Sequence, residues 1–237
     1  MNPKGKLYLI PTTMGEMNPE EVLPSLVYRT IELLTTYIVE NEKTARKFIK
    51  SVQPKKIQAD LKLSLLNKRT EDSELQAMFK PCLNGESIGL MSEAGCPGVA
   101  DPGAAIVKIA HEHGIQVVPL VGPSSILLAM MASGMNGQSF AFNGYLPIDK
   151  DDKKNAIKNF EILSHSKNQS QLFIETPYRN NKLMEDLLQI LQPNTLLCIA
   201  CDITLPTEYI RTYRVAEWKK IKADLHNRPT IFIIHKM

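Results

Sequence analysis

The feature that most limits what this chain can become is an alternation: short apolar runs take turns with longer stretches whose apolar residues recur at helical spacing. That is the pattern of an α/β fold in which strands lie parallel and helices carry the crossovers. The spacing predicts strands over Leu7–Ile10, Thr36–Glu40, Lys62–Leu66, Ser87–Met91 and Ile115–Leu120. Helices over Pro19–Leu34, Glu42–Ser51, Glu71–Leu83 and Gly103–His113 fall between them. Right-handed crossovers would cover both faces of this five-stranded sheet. After Gly122-Pro123 the character changes. Helix Ser124–Ser133 and strand Ser139–Tyr145 are followed by a polar lead-in, Ile148–Lys154, to helix Asn155–Ser164. Then come strand Gln171–Glu175, helix Arg179–Leu191, strands Thr195–Asp202 and Glu208–Arg214, helix Ala216–Leu225 and strand Pro229–His235. Two consecutive strands without a helix between them make the second sheet mixed. The expectation is two α/β domains, 1–121 with a parallel-type sheet and 122–237 with a mixed sheet and helices.

An apolar share of 43% beside 22% charged residues is that of a globular chain, and excludes disorder, collagen-like repeats and a coiled coil. The longest apolar runs, Ile126–Ala132 and Thr195–Ala200, fall far short of the roughly 18 residues a membrane span needs. The opening Met-Asn-Pro-Lys-Gly-Lys leads into a run too brief for a signal peptide, so a cytoplasmic protein without membrane contact is expected. Charge is uneven. Residues 1–149 carry 14 Lys and Arg against 15 Asp and Glu, whereas 150–237 carry 14 against 10. The basic excess of the second part suits either a solubilising surface or a polyanionic partner. Cys198 and Cys201 form a C-x-x-C, but their segment reads as a buried strand with no turn between the thiols. Cys82 and Cys96 stand apart and the five His supply no ligand-spaced set, so core packing is expected and no metal.

Ligands of an open parallel sheet gather beyond the carboxyl ends of its strands, which singles out three loops. They are Pro11-Thr-Thr-Met-Gly-Glu16, Ser92-Glu-Ala-Gly-Cys-Pro-Gly-Val-Ala-Asp-Pro-Gly103 and Val121-Gly-Pro-Ser-Ser125. Three glycines and two prolines give the middle loop a stiff path along which bare backbone can approach a ligand. Gly122-Pro-Ser-Ser125 offers N–H groups and hydroxyls either to cap the helix that follows or to hold a carboxylate or ribose. No G-x-G-x-x-G follows the first strand, no P-loop occurs, and none of the five His pairs locally with a candidate nucleophilic Ser. Dinucleotide oxidoreductases, kinases and serine hydrolases therefore lose ground.

Five segments stand in order: Pro11-Thr-Thr-Met-Gly15, Ser92–Gly103, Gly122-Pro-Ser124, Phe142-Asn-Gly-Tyr-Leu-Pro147 and Glu175-Thr-Pro-Tyr-Arg179. Together they resemble the signature of the tetrapyrrole methylase superfamily of S-adenosylmethionine-dependent enzymes, most closely its bacterial ribosomal RNA small subunit methyltransferase I branch. The likeness runs over nearly the whole chain. It implies a two-domain fold with S-adenosylmethionine in the cleft between the domains, a homodimer, and methylation of ribosomal RNA in the small ribosomal subunit, at a ribose 2'-hydroxyl. Carried over residue by residue, it implies that Met14, Ala94, Gly95, Cys96, Val99, Ser124 and Ser125 meet the methionine and ribose of the cofactor. Glu175, Thr212 and Tyr213 are implied at its adenine end.

Departures stand beside these matches. Where the branch has Ala-Glu-Asp-Thr-Arg after its second strand, this chain has Val39-Glu-Asn-Glu-Lys-Thr-Ala-Arg46. Its Tyr-x-x-His-Asn-Glu becomes Leu65-Leu-Asn-Lys-Arg-Thr-Glu71, without the His, and the hallmark loop carries Glu93 for Asp and Cys96 for Thr. The cofactor side is kept while the acceptor side is rewritten. A small-molecule acceptor such as a tetrapyrrole, a protein side chain, or a cofactor- or RNA-binding module without activity are the alternatives. A transferred methyl on a ribose oxygen requires a proton acceptor, for which Glu42 and Glu93 are candidates, with Arg46 and Arg179 as phosphate or acceptor anchors. Glu42 equally suits a first-turn acid under the helix dipole, and Arg179 a surface charge at a helix start. The basic second domain is expected to add phosphate contacts.

Overall fold

In the computed structural model, which describes residues 4–67 and 69–237, the chain divides into two units, Met1–Ser124 and Ser125–Met237. Lys68, inside the segment that replaces the Tyr-x-x-His-Asn-Glu motif, lies outside the described residues.

The first unit runs β1 (Leu7–Ile10), α1 (Ser25–Leu33), β2 (Thr36–Val39), α2 (Glu42–Val52), β3 (Lys62–Leu65), α3 (Asp72–Leu83), β4 (Ile88–Met91), α4 (Ala104–Glu112) and β5 (Val117–Pro119). Its five strands pair in parallel in the order β3-β2-β4-β1-β5. Side chains alternate across the sheet. Ile10, Tyr37, Val39 and Met91 pack with α1 and α2 on one face, and Leu7, Ile38, Ile88 and Leu90 pack with α3 and α4 on the other. Central β2 and β4 are buried on both faces, which is why they read as unbroken apolar runs, whereas edge strand β3 is largely open.

The second unit runs α5 (Ser125–Ser133), β6 (Phe140–Tyr145), α6 (Lys150–Lys167), β7 (Ser170–Ile174), α7 (Asn180–Ile190), β8 (Leu196–Cys201), β9 (Tyr209–Arg214), α8 (Val215–Trp218) and β10 (Thr230–His235). Its sheet order is β6-β7-β10-β8-β9, with β6 and β7 parallel and the other pairs antiparallel. One face carries Phe173, Leu197, Ile199, Cys201, Phe232 and Ile234 against α6, α7 and Trp218. Phe173 and Phe232 stack at 6.1 Å between ring centroids. Cys198 and Cys201, three residues apart on β8, point to opposite faces of the strand, so their buried thiols cannot share an ion or close a disulfide. Burial pushes the Cys198 thiol up to about 11.

Three expected elements are redrawn. The helix foreseen over Pro19–Leu34 is a 3-10 turn, Pro19–Glu21, followed by α1, because Pro24 has no N–H to continue a helix and fixes the entry to the next one. The polar lead-in before Asn155 is itself helical from Lys150. The Asp149 carboxylate caps α6 by accepting from the N–H groups of Asp151 and Asp152, and the acids of the first turn suit the helix dipole. The helix foreseen over Ala216–Leu225 is a single turn. Beyond it, side chains take the backbone's hydrogen bonds: Asn181 accepts from the Leu225 N–H and Asp224 from that of His226. Among the described residues no helix is long and apolar enough to cross a membrane.

His235 is buried at the end of β10, its Nδ1 3.3 Å from the Ser170 hydroxyl, and burial holds its pKa below the ordinary 6.5. The unfolded chain therefore binds a proton at pH values where the folded chain does not. This contribution to stability is complete above about pH 6.5 and is lost as the pH falls below it. The one tryptophan, Trp218, is buried in the same unit and reports its unfolding by fluorescence. The urea midpoint is expected to be lower at about pH 5.5 than at about pH 7.5. His235→Gln is expected to narrow that difference; an equal difference in the variant would assign it to other groups.

Candidate active site

The strand order brings the carboxyl ends of β2, β4 and β1 side by side, and a cavity of about 440 Å³ opens beyond them in the first unit. Thr12, Met14 and Glu16 of the loop after β1 form one wall, and Ser92, Glu93 and Ala94 after β4 form another. The third comes from the end of β2 and from α2: Glu40, Asn41, Thr44, Lys47 and Phe48.

Hydrogen bonds fix these walls to one another. Thr12 donates its N–H to the Gly95 carbonyl at 3.0 Å and its hydroxyl to the Ser92 carbonyl at 3.4 Å, a single antiparallel bridge between the loops that follow β1 and β4. The Thr44 hydroxyl donates to Glu93 Oε1 at 2.6 Å, and the Glu93 N–H donates to Glu40 Oε1 at 3.2 Å. Asn41 caps α2 by accepting from the N–H groups of Lys43 and Thr44, so the positive end of that helix faces the two carboxylates. Lys47 ion-pairs with Glu16, and the ammonium lowers the Glu16 pKa.

The Gly-rich loop is organised around Asp101, whose carboxylate accepts from the N–H groups of Gly98 at 2.9 Å and Gly103 at 2.7 Å. Burial raises the Asp101 pKa, and the two N–H groups oppose that rise. Gly95 has φ +70°, and a Cβ there would stand 3.3 Å from the Pro123 carbonyl, so this stretch of loop needs glycine. Cys96 donates its thiol to the Pro123 carbonyl at 3.3 Å, and burial raises its pKa. The same third loop is pressed against the first: a Cβ on Gly122 would lie 2.2 Å from Pro11 Cγ.

Of the residues expected at the site, Met14, Glu93 and Ala94 line the cavity. Gly95, Cys96 and half-exposed Val99 follow along the same loop, and Ser124 ends the first unit. Glu42 and Arg46 do not line the cavity. They pair with each other at 2.8 Å, and Arg46 donates onward to the carbonyls of Gln58 and Leu61, holding the turn before β3. In the second unit, Ser125 begins α5 and the buried Glu175 accepts from the Thr176 N–H and from Arg179, so Arg179 is spent on a neighbouring carboxylate. Thr212 and Tyr213 are consecutive on β9 and face opposite ways. Thr212 donates to the Ser133 carbonyl of α5, and the Tyr213 ring meets Trp218 edge-on at 5.2 Å. Glu40, Asn41, Thr44, Lys47 and Phe48 were missed. The signal was their place directly after the second strand, but only the strand order puts that strand beside β4.

Bare backbone at Gly95, beside the Met14 side chain on the cavity wall, fits a nucleoside-type cofactor held close to main chain. Fold and cavity define an α/β protein whose candidate site lies at the strand ends of its parallel sheet. The family pattern of Tetrapyrrole (Corrin/Porphyrin) Methylases matches residues 25–218, and the chain belongs to that family of methyltransferases. It is 27% identical to the ribosomal RNA small subunit methyltransferase I of Buchnera aphidicola subsp. Schizaphis graminum, covering 99% of this chain and 79% of that protein. It is 28% identical to the protein of the same name in Escherichia coli O157:H7, covering 96% and 76%. Among solved structures it is similar to the methyltransferase CobJ, with a TM-score of 0.65 at 16% identity over 98% of this chain and 94% of that one. It is also similar to the uroporphyrin-III C-methyltransferase of Thermus thermophilus complexed with S-adenosylhomocysteine, with a TM-score of 0.58 at 15% identity over 98% of each chain.

Gly122→Ala tests the packing of the third loop on the first. Crowding against the Pro11 ring is expected to cost about 1–3 kcal/mol of folding stability by urea titration. Calorimetry is expected to show weaker S-adenosylhomocysteine binding. Unchanged stability would mean that the two loops are free to separate.

Proposed function

We propose that this methyltransferase takes its methyl group from S-adenosylmethionine and delivers it to ribosomal RNA of the small subunit, at a ribose 2'-hydroxyl. The observation that carries the reading is Glu93: a carboxylate at the cavity, held by the Thr44 hydroxyl and tied through its own N–H to Glu40. Relatives named for ribosomal RNA match nearly the full length of this chain at 27–28% identity, whereas the tetrapyrrole enzymes at 15–16% speak for the fold alone. A cavity walled by Glu16, Glu40 and Glu93 also repels an acceptor that brings carboxylates of its own.

S-adenosylmethionine, when bound, supplies a methyl already activated on a sulfonium. What this chain contributes is alignment, worth roughly 7–11 kcal/mol in favourable cases, and a place for the proton. Met14, Ala94, Gly95, Cys96, Val99 and Ser124 are the residues we assign to the cofactor. The Glu93 carboxylate takes the hydroxyl proton as the acceptor oxygen gains its methyl. Thr44 and Glu40 keep it from swinging away. The reading extends to a homodimer working in the cytoplasm; sedimentation equilibrium is expected to give about twice the 26.6 kDa chain mass.

The test is incubation with methyl-labelled S-adenosylmethionine and small ribosomal subunits that lack the modification. Label is expected in the RNA. Glu93→Gln is expected to slow transfer by roughly 10²–10⁴-fold, with S-adenosylhomocysteine affinity retained in calorimetry. Cofactor binding without label in RNA would overturn the acceptor assignment.

A further inference from the structure

We infer that the acceptor RNA lays its backbone along α2, on a stripe formed by Lys43, Lys47 and Lys50, and not on the more basic second unit. The inference rests on the RNA reading above. The three lysines stand at i, i+4 and i+7, so they share one face of the helix, and all three are exposed. One step around the axis, roughly 100° per residue, Thr44, Phe48 and Ser51 line the cavity. The opposite face, Ala45, Ile49 and Val52, is buried against the sheet. A helix seated in this way has no apolar face left to enter a lipid surface, which favours a nucleic-acid polyanion over a bilayer.

Charge complementarity points the same way. Glu42, the one acid of α2, is neutralised by Arg46, and among the described residues no ion pair engages Lys43 or Lys50. Lys47 is shared with the exposed Glu16, a pairing that solvent and salt weaken easily. In the second unit four cations are already engaged: Lys153 and Lys182 on Asp186, Arg179 on Glu175, and Arg228 on Asp202. The carboxylates of Glu40 and Glu93 make the cavity hostile to phosphate while accepting hydrogen bonds from an uncharged sugar or base. Phosphates on the lysine stripe and one nucleoside turned into the cavity satisfy both signs of charge.

The experiment is fluorescence anisotropy of a labelled oligouridylate on the full chain across a salt series. Each lost phosphate contact lowers the slope of log K against log salt by about 0.7 for single strands. Lys43→Gln with Lys50→Gln is expected to lower it by about 1.4. Lys219→Gln with Lys222→Gln, a basic pair of the second unit, is expected to leave it unchanged; thermal melts check that both variants fold. No change in the α2 variant, transfer of the loss to the second-unit variant, or tighter binding to phosphatidylserine vesicles than to the oligonucleotide would each overturn the inference. Label transfer to ribosomal RNA with an unchanged α2 slope sinks the stripe and leaves the function standing. Salt-dependent binding lost in the α2 variant, with no transfer by the unaltered protein, sinks the function and leaves the stripe.

Discussion

Everything at the candidate site follows from one strand having two particular neighbours. β4 lies between β2 and β1, paired in parallel with both, although the chain visits them in a different order. Gly89, in the middle of β4, shows how close that packing is: a Cβ there would stand 2.7 Å from Ile10 and Tyr37 side-chain atoms. With the strands locked at this distance, their carboxyl ends cannot drift apart. The loops that leave them are held over a common space even though most of their residues sit outside regular structure.

That space has an unusual electrical character. Three carboxylates, of Glu16, Glu40 and Glu93, face a cavity with Lys47 as its one cation among the described residues. Such a concentration of like charge is tolerable because each carboxylate has a partner of its own: the ammonium of Lys47, the N–H of Glu93, and the hydroxyl of Thr44. The amino end of α2 adds its dipole to the same side. The cavity keeps negative charge inside, with positive charge on the adjoining helix face.

Most of the architecture could be read from the amino acids because both central strands are continuous apolar runs and each helix has an apolar face at the right period. What could not be read was local chemistry. Pro24 divides a stretch that looks uniformly helical, and Asp149 starts a helix inside a stretch that looks like linker. Beyond the short turn at Val215–Trp218, side chains of Asn181 and Asp224 meet the backbone at Leu225 and His226, the first from more than forty residues away. At the site, the Pro-Thr and Ser-Glu-Ala-Gly loops announced themselves by composition. The α2 wall did not, since Glu40 and Thr44 look like an ordinary strand end and helix start until the strand order is known. Glu42 and Arg46, expected at the site from their place after the second strand, pair with each other, and Arg46 fastens α2 to the following turn.

The small bridge between Thr12 and Gly95 has a consequence for how tightly anything can be held here. Two loops that would otherwise wander independently arrive already joined, so much of the disorder an incoming molecule must quench has been removed during folding. Affinity at such a place is governed less by the number of contacts formed than by how little the walls have to change on meeting their guest.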